Sequence, residues 1–141
     1  MEEIPFFAEI NRNEKIFAMV NLVGKEKPLI VLVHGWGCHH LASENYFFTK
    51  AARFFSKNGF NVLRFDFRGS GNSTGKFEDQ IITSMIKDLG FIINYSIQKF
   101  GLKDEVILIG HSQGFYVSIF YATKDKKVKG LVGWMGRAVS Y

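Results

Sequence analysis

The segment Gly110-His111-Ser112-Gln113-Gly114 sets a hydroxyl between glycines in a G-x-S-x-G pattern. A serine can attack an acyl carbon when a tight turn lifts its Oγ clear of the backbone and a base takes its proton. Five residues alone make a weak signal. Here they stand between an apolar run, Val106-Ile107-Leu108-Ile109, and an apolar helical stretch, which is the setting a nucleophile turn needs. Gly110 and Gly114 remove Cβ atoms that would clash in such a turn. The helix start after Ser112 offers free N–H groups and a positive dipole end to an anion. The bland alternative is a polar strand-to-helix cap.

A second segment, His34-Gly35-Trp36-Gly37, follows the apolar run ending at Val33. Acyl transfer builds negative charge on the substrate oxygen, and two preorganised N–H donors can hold it. The donors expected are the backbone amides of Trp36 and Gln113. His34 is expected to hold the loop rather than act as a base. A plain glycine turn is the alternative.

A third segment runs from Arg64 through Asp66, Arg68, Gly69 and Gly71 to Ser73. Asp66 and Arg68 are expected to brace this glycine-rich loop through charge-assisted hydrogen bonds. It has neither the glycine fingerprint of a dinucleotide site nor the Gly-Lys-Ser/Thr of a phosphate loop. Cys38, His39 and His40 could suggest a metal, but adjacent residues on one loop make a poor tetrahedral site. No metal or cofactor is expected, and His39 and His40 are expected to flank the mouth of the site.

The elements that must position these residues follow from the pattern. Residues 5–10 and 15–23, joined by Asn11-Arg12-Asn13-Glu14, read as an antiparallel hairpin. Residues 28–33 form a continuous apolar run, as in a strand buried on both faces. Ser43 is placed to cap a helix over 44–58, ended by Gly59. A strand over 60–65 follows. A long helix over 79–100 carries Ile82, Met85, Ile86, Leu89, Ile92, Ile93, Ile97 and Phe100 at helical spacing, with Gly101 as its stop. Then come a strand over 105–109, a helix over 113–123 and a last strand over 129–135. This order predicts one α/β domain over 1–141: a mainly parallel sheet with helices on both faces and an N-terminal hairpin.

Composition agrees with a packed domain. Of the 141 residues, 47% are hydrophobic and 22% charged, which argues against disorder. The net charge of +5 raises nucleic acid as a partner. The basic residues are interspersed with acids, however, and the densest group, Lys124 to Lys129, reads as a solvated loop, so no nucleic-acid partner is expected. No apolar run reaches the length of a membrane span, and no signal-peptide pattern opens the chain. The single cysteine fits a reducing compartment. A cytoplasmic location and no membrane partner are expected.

These segments, in this order, resemble the α/β-hydrolase fold, and within it the small carboxylesterases of the cinnamoyl/feruloyl esterase-like group. Gly75-Lys76-Phe77-Glu78 before the long helix adds to the likeness. The resemblance spans about residues 15–132, roughly the first half of such an enzyme. It implies Ser112 as nucleophile, Trp36 and Gln113 as oxyanion donors, and aryl or short acyl esters as substrates. Phe115 departs from it, standing where a second small residue is usual.

The larger departure concerns the triad. The family order is Ser, then Asp or Glu, then His. No histidine follows Ser112, and the only later carboxylate, Asp125, lies past the wrong end of the helix. His111 adjoins Ser112, and neighbours at such a turn point apart. Nothing is expected to orient His39 or His40 toward Ser112. The chain therefore reads as an N-terminal half, weakly active or inactive alone. Its last strand is expected to be an exposed apolar edge that pairs with a second copy or with a complementary C-terminal half. Alternatives are a non-catalytic binding or assembly module and a thioesterase or peptidase on the same fold.

Overall fold

The structure, a computed structural model, describes residues 1–41 and 46–134. Its elements in chain order are strands β1 (Glu2–Glu9), β2 (Lys15–Leu22) and β3 (Leu29–Val33), helix α1 (Phe47–Lys57), strand β4 (Asn61–Phe65), helix α2 (Ile82–Phe100), strand β5 (Val106–His111), helix α3 (Gln113–Ala122) and strand β6 (Val128–Trp134). They form a six-stranded sheet in the order β1-β2-β4-β3-β5-β6. β1 and β2 pair antiparallel, β2 meets β4 antiparallel, and β4, β3, β5 and β6 run parallel.

The apolar run of β3 explains its place at the centre. All five residues are buried. Alternation along the strand sends Leu29, Val31 and Val33 into one core, shared with Met85, Leu89, Ile92 and Ile93 of α2 and Val117 of α3. Ile30 and Leu32 point the other way, to Phe48, Ala51 and Ala52 of α1. Helices thus cover both faces, and a strand buried on both sides has no use for polar alternation.

Handedness places the helices. From β3 the chain crosses through α1 to β4 on one side, then returns through α2 to β5 on the other side of β3. Right-handed crossovers in opposite directions put α1 and α2 on opposite faces. The strand order reverses between β3 and β5, and in such sheets ligands bind beyond the strand carboxyl ends at that point. The loops leaving there begin with His34 and Ser112.

The boundaries differ from the pattern in instructive places. The long helix starts at Ile82, not at 79, because Phe77–Asp79 form a separate 3-10 turn. Ser84 Oγ then accepts from the amide of Ile81, which fixes the start. Gly101, at φ +61, ends the helix, and the amide of Leu102 closes back on the Ile97 carbonyl. The expected Ser43 cap and residues 44–45 of the expected helix lie outside the described residues, as does Met135 at the end of the last strand, and α1 is regular from Phe47.

Ile92 is fully buried between α2 and the sheet. Ile92→Ala is expected to cost about 2–5 kcal/mol of unfolding free energy in urea. Lys87→Ala, on the exposed side of α2, is expected to change it by less than about 0.5 kcal/mol.

Candidate active site

Ser112 sits at the junction of β5 and α3 with φ +53 and ψ −124. A non-glycine residue there carries backbone strain of order 1–3 kcal/mol, and such strain persists only where the surroundings impose it. Close approach on three sides does so. A Cβ on Gly110 would lie 2.4 Å from the Cα of Phe115, and one on Gly114 would lie 2.2 Å from the Val33 carbonyl oxygen. These glycines let α3 start directly against β3 and β5. The amide of Ser112 donates to the Trp134 carbonyl of β6 at 3.3 Å, and the amide of Phe115 closes on the Ser112 carbonyl at 3.0 Å. The residue itself is exposed.

The loop after β3 touches this turn. A Cβ on Gly35 would stand 3.0 Å from Ser112 Cβ and 3.5 Å from the Gln113 amide nitrogen. Gly35 to Cys38 is closed by a 3.2 Å amide-to-carbonyl bond, with Gly37 at φ +72, the sign a type II turn demands at that position. Trp36, next in chain to Gly35, thus has its amide one peptide from the Ser112 turn.

His34 is fully buried. Its Nε2 accepts from the Phe67 amide at 3.1 Å, so Nδ1 carries the proton and donates to the Gly35 carbonyl at 2.7 Å. Burial lowers its pKa to about 4. It is a neutral strut between two loops. His111 is half-buried against the edges of Phe47 and Phe48, and burial lowers its pKa as well.

Asp66 and His40 correct two expectations. His40 does not flank a solvent mouth: it is buried, close to the ring of Phe17, with Nδ1 2.8 Å from Asp66 Oδ1. A histidine in this chain is therefore oriented by a carboxylate, contrary to the sequence reading. The pair lies at the ends of β4 and β2, however, and β4 is two strands from β5. Asp66 also accepts from the amides of His40 and Asn72, and a Cβ on Gly71 would overlap its carboxylate. Burial opposes ionisation of Asp66, but the bonds from His40 and Asn72 outweigh it and hold the carboxyl below its usual range. Asp66 thus braces the glycine-rich loop and pins the loop after β3 to it. Arg68 braces differently: it reaches Asp88 of α2 at 2.7 Å and Glu14 of the hairpin turn at 2.8 Å.

Phe115 finds its space in the next strand. A Cβ on Gly133 of β6 would lie 2.9 Å from its ring. Asp125 accepts the Tyr121 hydroxyl and pairs with Lys127 at the far end of α3. Sequence reasoning missed the His40–Asp66 pair and the stack of Trp36 on Phe77 at 4.9 Å. Among the described residues no group of three His, Cys, Asp or Glu side chains is arranged to hold a metal. No helix among them is long and apolar enough to cross a membrane.

This sheet, its crossovers and the strand-turn-helix at Ser112 define an α/β-hydrolase fold. The chain belongs to the Hydrolase_4 family, described as serine aminopeptidase, S33, which matches residues 24–134. Human protein ABHD12B is 36% identical over 87 residues, covering 62% of this chain and 22% of its own. DcsB, in complex with its substrate analogue, superposes with a TM-score of 0.81 at 24% identity, over 94% of this chain and 44% of that one. A Pyrococcus furiosus esterase gives 0.77 at 23%, over 92% and 47%. Est1E from Butyrivibrio proteoclasticus, with ferulic acid bound, gives 0.72 at 23%, over 83% and 46%. The chain therefore spans about a fifth of the length of the human relative and under half of these solved chains.

Two outcomes test the geometry. Gly114→Ala forces a Cβ onto the Val33 and His34 carbonyls, and a drop in melting stability of at least about 1–3 kcal/mol is expected. For His34, the unfolded side chain takes up a proton below about pH 6.5 while the buried one resists until about 4. Stability from this group is full above pH 6.5 and falls as pH drops toward 4, by up to about 3 kcal/mol. Urea midpoints measured across that window are expected to decline less steeply in His34→Gln.

Proposed function

We propose that this chain is a serine carboxylic-ester hydrolase module in which Ser112 attacks the ester carbonyl. The observation that carries this reading is the strained Ser112 turn in contact with Gly35, beside the start of α3. Ser112 Oγ gives its proton to a base and bonds to the carbonyl carbon. The carbonyl electron pair moves to oxygen, where the amides of Trp36 and Gln113 hold it. Collapse expels the alkoxide, which takes the proton, and leaves an acyl-serine that water then hydrolyses by the same steps. The substrate is a small-molecule ester.

The base and its orienting acid come, in this reading, from residues beyond this chain. His40 Nδ1 is engaged by Asp66, past the end of β4, and is not taken as that base. β6 has room for what supplies them. Among the described residues it is a sheet edge, with Leu131, Val132 and Trp134 exposed. Beside it, Phe47, Phe54, Phe55 and Trp134 line an apolar groove of about 430 Å³. We assign this edge to a complementary C-terminal half, or to a second copy of the chain.

The family's description as a serine aminopeptidase favours a second reading, a peptidase using the same serine. A p-nitrophenyl short-chain ester and an amino-acid p-nitroanilide separate the two. The deciding experiment is labelling with a fluorophosphonate, alone and with a C-terminal half supplied. Adduct on Ser112, absent in Ser112→Ala and faster with the added half, is expected. No adduct under either condition leaves a non-catalytic binding module as the better account.

A further inference from the structure

The sequence scatters its lysines, and the fold gathers them at one end. Strands β3, β4, β5 and β6 all begin at that end, β2 finishes there and β1 starts there. Hydrogen bonds join its loops into one layer. The Lys103 amide donates to the Lys25 carbonyl at 3.0 Å, and the Leu29 amide to the Glu105 carbonyl at 2.9 Å. The Val106 amide donates to the Lys127 carbonyl at 2.9 Å, and the Asn61 side chain to the Lys27 carbonyl at 3.0 Å. Helices α1 and α2 add Lys57 and Lys99 from their last turns.

The charge of this end is one-sided. Loops 23–28, 101–105 and 123–127, with Glu2, Lys57, Lys99 and Lys129, hold nine lysines, five carboxylates and no arginine. Glu3, next along β1, is paired with Arg53. The end therefore carries four of the chain's five net positive charges. Lys103 pairs with Glu105 and Lys127 with Asp125. Lys25, Lys27, Lys124 and Lys126 are exposed and form no ion pair among the described residues. Unpaired charges of one sign on neighbouring loops add their fields and draw anions.

An apolar cleft of about 340 Å³ opens in the same layer, lined by Met1, Leu22, Val23, Lys25, Phe100 and Leu102. Val23 is 39% exposed. These features choose among anionic partners. Nucleic acid is held by arginine forks and by bases stacked on open aromatic faces. This end offers lysine point charges and an aliphatic cleft instead. Ammonium groups on long apolar stems suit a diffuse anionic surface, and exposed aliphatic groups beside them suit acyl chains.

We infer that this end docks the chain on an anionic lipid surface. Ser112 follows the carboxyl end of β5, at the opposite end of the sheet. A docked chain therefore holds the Ser112 turn toward solvent. The inference stands whether or not Ser112 is a nucleophile.

Vesicle flotation of the full chain tests it, since aggregated protein does not float. At about 0.1 M salt the chain is expected to float with phosphatidylcholine vesicles containing about 30% phosphatidylserine. It is expected to stay down with phosphatidylcholine alone, and about 0.5 M salt is expected to release it. Each lysine close to such a surface strengthens binding about fivefold. A chain carrying Lys25→Gln, Lys27→Gln and Lys126→Gln is thus expected to bind about 100-fold more weakly. Arg12→Gln, Lys76→Gln and Lys87→Gln together remove the same charge elsewhere, and binding is expected to stay within about threefold of the parent. All six of these side chains are exposed. No flotation with phosphatidylserine, or an equal loss in the two triple variants, overturns the docking face. So does tighter binding to a single-stranded oligonucleotide that depends on the same three lysines, which assigns the face to nucleic acid.

Discussion

The close approach of three backbones around Ser112 governs the rest of the site. Gly35, Gly110 and Gly114 lie where a single added carbon would collide with a neighbouring main chain or with Ser112 itself. Removing those carbons lets the end of β3, the end of β5 and the start of α3 occupy one small volume. Ser112 absorbs the cost as a positive φ, a conformation that a serine adopts only when held. Ser112 stays exposed, and the loop carrying Trp36 is brought against the same turn.

A second layer keeps that loop in place. His34 at its start accepts from the Phe67 amide, and His40 further along bonds Asp66, so the loop is tied at two points to adjacent residues after β4. Asp66 in turn holds the glycine-rich loop through Asn72. One buried carboxylate therefore sets the relation of two loops, and burial keeps the neighbouring His34 neutral. Trp36, on the first of these loops, stacks on Phe77, which opens the 3-10 turn after the second.

Much of this is legible in the chain itself. The β3 run and the periodicity of α2 are local signals, and they order the sheet because crossovers have one hand. The glycines around Ser112 are also local, since the turn that needs them spans five residues. Other features depend on contacts across the sheet. The His40–Asp66 bond joins residues 26 apart, and nothing in the spacing of His39 and His40 says which one turns inward. Arg68 bonds to Asp88 and Glu14, on two different elements. Phe115 reads as an obstacle to α3 in the sequence, and only the pairing of β6 with β5 brings Gly133 beside its ring. The start of α2 is shifted because a 3-10 turn, whose residues also fit the helical pattern, intervenes.

In the proposed reaction the Ser112 turn and the loop after β3 together present two amides to a charge developing on a substrate bonded to Ser112. A crystal structure of the chain carrying a phosphonyl group on Ser112 measures this directly. The phosphonyl oxygen is expected within about 3 Å of the amide nitrogens of both Trp36 and Gln113. An adduct whose oxygen faces solvent, away from those amides, contradicts the claim.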